Sequence, residues 1–126
     1  MIIRLLLVAF SIFIVWLIYL TNTGQSSDIL LVVQYVPYGD KAGHVFLAGI
    51  LALLVNLALK FRMIGSGRLK LPLGTIITSV IVVLEEWSQR YIPSRTFSGW
   101  DLFSDFLGIT IFTMLAYLIH RYVQKK

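Results

Sequence analysis

The sequence predicts an all-α integral membrane protein, a four-helix bundle with both termini in the cytoplasm. Three observations predict this fold class. Hydrophobic residues make up 58% of the 126 residues and charged residues 13%, whereas soluble domains average about 45 to 50% and about 25%. The apolar residues fall into four runs, each close to the about 20 residues that a helix needs to cross a bilayer. Most of the basic residues flank these runs on one side.

The four runs are taken in order along the chain. They cover about residues 2–20, 41–59, 71–91 and 100–119. The first run is interrupted only by Arg4 and Ser11. It also has the outline of a signal peptide, but its apolar core is longer than the usual about 7 to 15 residues and no Ala-x-Ala pattern follows it. We therefore expect one domain, residues 1–126, that crosses the membrane four times.

The distribution of charge predicts the orientation, because cytoplasmic segments next to membrane spans are enriched in Lys and Arg. Eight of the eleven basic residues would share the side of the termini, and the other three would share the opposite side with all six acids. The eight are Arg4, Lys60, Arg62, Arg68, Lys70, Arg121, Lys125 and Lys126. Topology thus explains the net charge of +5, and no nucleic-acid partner is expected. The segment Lys60–Lys70 is expected to be a short flexible connector.

This asymmetry and the four apolar runs predict a multi-pass membrane protein in contact with membrane lipids. The chain contains no cysteine. That composition excludes a disulfide framework, a cysteine nucleophile and a zinc site with thiolate ligands.

Polar residues within the predicted spans gather near the end that faces away from the termini. In the second span, Asp40, Lys41 and His44 are three or four residues apart and share a helix face. The later spans add Glu86, Gln89, Asp101 and Asp105. A charged side chain at the centre of a spanning helix costs about 2.5 to 3.5 kcal/mol, so these groups are expected to face one another. The sequence therefore predicts a polar pocket open to the outside.

The predicted pocket favours an anionic ligand. The second and fourth spans begin there, so their amino-terminal N–H groups would point at it, and Arg95 in the preceding loop would close over it. We expect it to bind an anionic group, such as the headgroup of a membrane lipid, without a cofactor. The expected binding residues are Asp40, Lys41, His44, Glu86, Gln89, Arg95, Asp101 and Asp105.

Structural roles remain open for several of these residues. Asp40 could cap the second span, and Ser98 with Asp101 fits a capping box. Glu86 and Arg90 are four residues apart, a spacing that favours a helical ion pair. His44 could be a core histidine with satisfied hydrogen bonds.

Four ordered motifs resemble the VanZ-like family of small polytopic bacterial membrane proteins. They are Asp40-Lys41-Ala42-Gly43-His44, Glu86-x-x-Gln89, Pro93-x-Arg95-Thr96, and Asp101 with Gly108 seven residues later. The resemblance covers about residues 40–108. One position differs, because the family's usual Asn four residues after Asp101 is Asp105 here. The resemblance implies a location in the bacterial cytoplasmic membrane and a cell-envelope role, since the family's namesake is associated with low-level teicoplanin resistance. The anionic ligand would then be a lipid or a cell-wall precursor headgroup. The resemblance implies no mechanism.

A second pattern, E-E-x-x-x-R over Glu85–Arg90, looks like the first motif of CAAX-protease and bacteriocin-processing membrane peptidases. Those proteins need further histidine motifs downstream. Only His120 follows here, and it would lie at the opposite side of the membrane. We therefore assign no peptidase activity.

Two other functions remain open at the level of sequence. In an outer-leaflet hydrolase or transferase, catalysis would rest on Glu86 or Asp101 as general acid or base, assisted by His44. The pocket acids and His44 also offer metal ligands, but one histidine does not select an ion, so no metal is expected. Transport would use a polar stripe and would require a homo-oligomer, because four spans are few for a monomeric transporter. The stripe comprises Thr75, Ser79, Glu86 and Gln89.

Overall fold

The computed structural model describes residues 1–25 and 28–126, and most of them are helical. Five α-helices occur in these ranges, together with a two-stranded sheet and one 3-10 turn. Their bounds are α1 (Ile2–Asn22), α2 (Asp28–Tyr35), α3 (Gly39–Ala58), β1 (Met63–Ser66), β2 (Leu69–Pro72), α4 (Leu73–Ser88), the 3-10 turn Gln89–Tyr91 and α5 (Gly99–Gln124).

Three of the helices, α1, α3 and α5, are long and apolar enough to cross a membrane. They correspond to the first, second and fourth apolar runs, so this part of the prediction is confirmed. The third run forms α4, whose 16 residues reach about 24 Å at 1.5 Å per residue. That length is shorter than the about 30 Å of a bilayer core. Large apolar side chains cover the exposed surfaces of these helices, as expected where lipid is the solvent.

Helices α3 and α5 form the main interface and run in the same direction. Small residues allow this close approach. A Cβ on Gly108 would meet the backbone carbonyl oxygen of Val45, and one on Gly49 would meet the ring of Phe112. A buried cluster contributed by α3, α4 and α5 follows along this interface: Ala48, Ala52, Val82 and Ile109.

Helices α1 and α4 pack on α3 and run opposite to it. The end where α1 finishes and α3 and α5 begin is called the polar end below, and the other is called the hairpin end. Near the hairpin end, Asn56 Nδ2 donates to Thr75 Oγ1 at 3.0 Å, and the hydroxyls of Thr75 and Thr113 are 2.9 Å apart. These hydrogen bonds connect α3, α4 and α5 through one partly buried polar network.

Residues 63–72 form an antiparallel hairpin, so the expectation of an all-α chain is wrong here. The segment Lys60–Lys70 is therefore not a flexible connector. Its two-residue loop, Gly67–Arg68, places Gly67 at a φ of +59°, and a positive φ at the first loop residue suits the twist of a tight hairpin. The register pairs Ile64 with Leu71 and Ser66 with Leu69.

Candidate functional site

The structure brings residues of α3 and α5 together at the polar end. Lys41 on α3 donates from Nζ to Asp40 Oδ2 at 3.1 Å and also forms a salt bridge with Asp101 on α5. Because α3 and α5 run in the same direction, their first turns lie side by side, which places these groups within reach of one another. One ammonium thus contacts two carboxylates and offsets one of their two negative charges.

His44 lies one turn further along α3 and is held by a second acid of α5. Its Nδ1 donates to Asp105 Oδ1 at 3.0 Å, and Asp105 is buried. The other ring nitrogen, Nε2, is 3.7 Å from Asp101 Oδ2 and 4.0 Å from Asp40 Oδ1. Asp105 therefore sets the orientation of the imidazole and directs Nε2 towards two carboxylates.

Neither expected helix cap forms. The residue before α3 is Tyr38, with a left-handed φ of +57°, and no side chain caps this helix. Ser98 precedes α5 but makes no side-chain cap hydrogen bond. The carboxylate of Asp101 turns to Lys41 instead, because an unlike charge on the neighbouring helix is within reach.

Glu86 is fully buried, and both of its oxygens accept hydrogen bonds. Oε1 accepts from the backbone N–H of Ser98 at 2.7 Å, and Oε2 accepts from Gln89 Nε2 at 3.1 Å. The carboxylate thus satisfies a backbone donor at the start of α5. This geometry gives Glu86 a role in positioning α5 against α4.

The expected ion pair between Glu86 and Arg90 is not formed. The guanidinium of Arg90 stacks between two aromatic rings, 4.5 Å from the centroid of Trp87 and 4.4 Å from that of Phe97. Arg90 follows the last α-helical residue, and the 3-10 turn rotates it away from the face that carries Glu86. It thereby fastens the loop before α5 to the end of α4.

Arg95 lies in that loop and reaches α1. Its Nη1 donates to Thr21 Oγ1 at 2.6 Å and to Asn22 Oδ1 at 3.4 Å. The neighbouring Ser94 donates from its hydroxyl to the carbonyl oxygen of Asn22 at 3.0 Å. The loop therefore closes the polar end by joining α5 to α1.

Two adjoining cavities open beside these residues. One lies at the polar end, has a volume of about 450 Å³ and has polar side chains at nine of its thirteen lining residues. Its polar lining consists of Thr21, Gln25, Gln34, Asp40, Gln89, Ser94, Arg95, Thr96 and Asp101. We call it the polar chamber.

The second cavity, of about 210 Å³, extends between α1 and α4 along α3 and is mainly apolar. Its apolar wall comprises Ile14, Leu17, Ile18, Leu47, Ala48, Leu51, Ile81 and Val82, and its mouth carries Thr21, Asp40, His44, Glu85, Arg95 and Asp105. We call it the apolar cavity. Four residues line both spaces: Thr21, Val33, Asp40 and Arg95.

The same end contains one group of side chains with the spacing of a metal site. One ligand atom each from Asp40, His44 and Asp101 lies within 4.8 Å of the others. Oxygen and imidazole donors at this spacing fit a divalent cation. Lys41 already supplies positive charge to both carboxylates, so the geometry does not require an ion.

Several residues around the site were not predicted from the sequence. Thr21 and Asn22 hold Arg95, and Glu85, half-buried, lines the mouth of the apolar cavity. The sequence could have indicated Glu85, because it directly precedes Glu86. Thr21 and Asn22 lie at the end of the first span, and their positions in the sequence do not relate them to the loop that they bind. Their contacts arise only from packing.

The polar stripe considered for transport is interrupted. Thr75 belongs to the network near the hairpin end, while Glu86 is at the polar end. Between them Thr78 and Val82 face the interior, and Ser79 is only partly buried. Thr78 donates its hydroxyl to the carbonyl oxygen of Gly74 on its own helix. This arrangement gives no support for a continuous polar path along α4.

Comparisons of the chain with protein-family models, curated proteins and solved structures give no match.

Proposed function

We propose that the chain is a VanZ-like protein of the bacterial cytoplasmic membrane that binds an anionic, lipid-linked component of the cell envelope at its polar end. The observation that carries this proposal is that the polar chamber and the apolar cavity adjoin, with the same four residues lining both. These four residues are called the shared wall. A ligand can place a polar headgroup in one space and an alkyl chain in the other. Such a pairing of apolar volume with a few polar groups is typical of small-molecule sites.

The charges around the shared wall suit a phosphate-bearing headgroup. Arg95 is the cation that lines both spaces, and a guanidinium matches phosphate geometry through two parallel hydrogen bonds. Its contact with Thr21 holds it in place before a ligand arrives. Lys41 contacts both Asp40 and Asp101 and offsets one of their two negative charges, which lowers the repulsion that an anion would meet in the chamber.

The orientation belongs to the same proposal. Four crossings by α1, α3, α4 and α5 would place the polar end outside and both termini in the cytoplasm. The antiparallel course of α4 between α3 and α5 supports this topology. The family assignment is supported by the convergence of the resembling motifs, because Lys41, His44 and Arg95 all lie at the polar end.

The test is lipid binding by the purified full chain in nanodiscs. Phosphatidic acid and diacylglycerol with identical acyl chains are compared, and the phosphate-bearing lipid is expected to bind at least about tenfold more tightly, as for a charge-assisted contact of about 1.5 to 3 kcal/mol. Arg95→Gln should reduce this preference. Lys125→Gln is the control, because Lys125 is an exposed cation at the carboxyl-terminal end of α5, away from the polar chamber. Equal binding of both lipids by the wild type would refute the proposal.

The envelope role has its own test in cells. A Gram-positive host that expresses the chain is expected to show reduced susceptibility to teicoplanin. The Arg95→Gln variant, present in the membrane at the same level, should restore full susceptibility. Vancomycin, measured in parallel, shows whether the effect extends to a second glycopeptide. No change in teicoplanin susceptibility with correctly inserted protein would remove the resistance role from the proposal.

A second candidate function is hydrolysis or group transfer on a lipid-linked or cell-wall substrate. The hydrogen bond from His44 to Asp105 favours it, because a carboxylate that orients an imidazole at Nδ1 leaves Nε2 to act as general base. Both residues line the mouth of the apolar cavity. Asp101 is the adjacent acid, whereas Glu86 has both oxygens occupied and would act through positioning.

This candidate is tested by incubating nanodiscs containing the chain with an envelope lipid extract and following the products by mass spectrometry. Turnover that disappears in His44→Gln supports an enzyme. If the wild type converts no lipid over many hours at stoichiometric protein, the binding function stands alone.

A further inference from the structure

We propose that the hairpin β1–β2 is a lipid-binding surface that docks on anionic headgroups of the leaflet at the hairpin end. The paired register makes it amphipathic, because directly paired residues lie on the same face of a two-stranded sheet. One face therefore carries Ile64, Leu71 and Leu69 together with Ser66. Leu69 is 84% exposed and Leu71 57%, so this apolar face is largely uncovered in the described chain.

An isolated two-stranded hairpin is marginally stable in water, so an exposed apolar face on such a hairpin indicates a further partner. Basic residues surround the face. Arg62 precedes β1, Arg68 occupies the loop and Lys70 lies on the opposite face. The chain has no acid from residue 41 to residue 84, so nothing nearby in the sequence neutralises these charges. A surface that is apolar and basic matches anionic lipid headgroups.

The position of the hairpin brings it to the headgroup level. It begins just after α3 and leads directly into α4, where the backbone N–H of Leu73 donates to the carbonyl oxygen of Arg62 at 2.8 Å. At its root, Phe61 packs on α5 with its ring centroid 5.6 Å from that of Tyr117. The hairpin is thus fixed at the ends of membrane-length helices. A second copy of the chain is a poor occupant, because two hairpins of the same charge repel one another.

The absence of cysteine from the chain allows a site-specific test. Leu69→Cys on the apolar face and Lys70→Cys on the opposite face are each labelled with an environment-sensitive fluorophore in the full chain, in vesicles of phosphatidylcholine with or without phosphatidylglycerol. Blue-shifted emission and quenching by lipids spin-labelled near the headgroup are expected at residue 69, and more strongly with phosphatidylglycerol. Both effects should be much smaller at residue 70.

Charge variants test whether lipid headgroups are recognised. Arg68→Gln should lower the ratio of docked to undocked label at residue 69 by about fivefold in anionic vesicles, the equivalent of about 1 kcal/mol per basic residue. Lys125→Gln, which removes a basic residue outside the hairpin, is the control and should leave the ratio unchanged. The inference is overturned if residue 69 is as exposed to water as residue 70. It is also overturned if the shift follows the protein-to-lipid ratio rather than the anionic lipid, since the occupant would then be a second copy.

Discussion

Two buried carboxylates at the polar end, Glu86 and Asp105, have different partners. Glu86 accepts hydrogen bonds from Ser98 and Gln89, and so holds the start of α5 against the end of α4. Asp105 accepts from His44 on α3 and lines the apolar cavity. Substitution of Glu86 should therefore act on stability, and substitution of Asp105 on the ligand.

For Glu86, we expect Glu86→Ala to lower the free energy of unfolding by about 1 to 3 kcal/mol, because the backbone N–H of Ser98 loses its acceptor. Gln89 keeps the hydrogen bonds that it also donates to Glu85. Glu86→Gln keeps one acceptor oxygen and should lose less. Thermal unfolding of the purified chain in detergent measures both. Glu85→Ala, which removes a half-buried acceptor of Gln89, serves as the control. A Glu86→Ala variant as stable as wild type would exclude the positioning role.

For Asp105, the substitution Asp105→Asn keeps an oxygen that can accept the hydrogen bond from His44 and removes one negative charge. A phosphate-bearing lipid should then bind about 2- to 5-fold more tightly, as for removal of a repulsion of about 0.5 to 1 kcal/mol. Titration in nanodiscs with the lipid pair described above measures this change. Weaker binding by Asp105→Asn would contradict an anionic ligand and favour the enzymatic role of the pair.

At the level of elements, the site depends on how closely α3 and α5 approach. The contacts of Lys41 with Asp101 and of His44 with Asp105 all cross this interface. Gly108 lies against the backbone of Val45 a turn beyond them. A side chain at residue 108 would therefore separate the helices and pull the polar groups apart.

We expect Gly108→Ala to destabilise the chain by about 1 to 3 kcal/mol, the usual cost of overpacking a tight contact. Lipid binding should fall together with stability. Gly43→Ala is a matched control on α3, because a Cβ there meets no atom within 4 Å. The unfolding midpoints of the two variants, measured side by side, test this expectation. Equal midpoints would show that the close contact at residue 108 contributes nothing to stability.

On the scale of the whole molecule, the polar end and the basic hairpin lie at opposite ends of the apolar helices, so the charge differs between the two ends. Acids gather where α3 and α5 begin, while Arg62, Arg68 and Lys70 surround the opposite end. In a membrane this gradient would place the hairpin end in the cytoplasm, because Lys and Arg are retained on that side.

That orientation predicts the accessibility of single cysteines in intact cells. Gln25→Cys, beside the polar chamber, should react with a membrane-impermeant maleimide. Arg68→Cys, at the hairpin loop, should react only after permeabilisation, which also serves as the labelling control for this variant. The reverse labelling pattern would show that the topology is inverted and that the polar chamber lies in the cytoplasm.

How far the sequence could predict the site is clearest from its polar residues. Spacing placed Asp40, Lys41 and His44 on one helix face, but it did not show that Lys41 would bridge to Asp101 or that Arg90 would leave Glu86 for two aromatic rings. Those choices depend on which groups of neighbouring helices come within reach. The capping box failed for the same reason, because a tertiary partner competed with a local one.

The sequence by itself determined the membrane-length helices α1, α3 and α5, because length and apolar composition are local properties of a chain. It did not determine the hairpin, whose strands of four residues are too short for an alternating pattern to stand out. Only the tertiary structure decided that the polar chamber and the apolar cavity meet at Arg95 and Asp40. A shared wall arises from the rotation and separation of packed helices, and neither quantity is encoded in the spacing of residues within one helix.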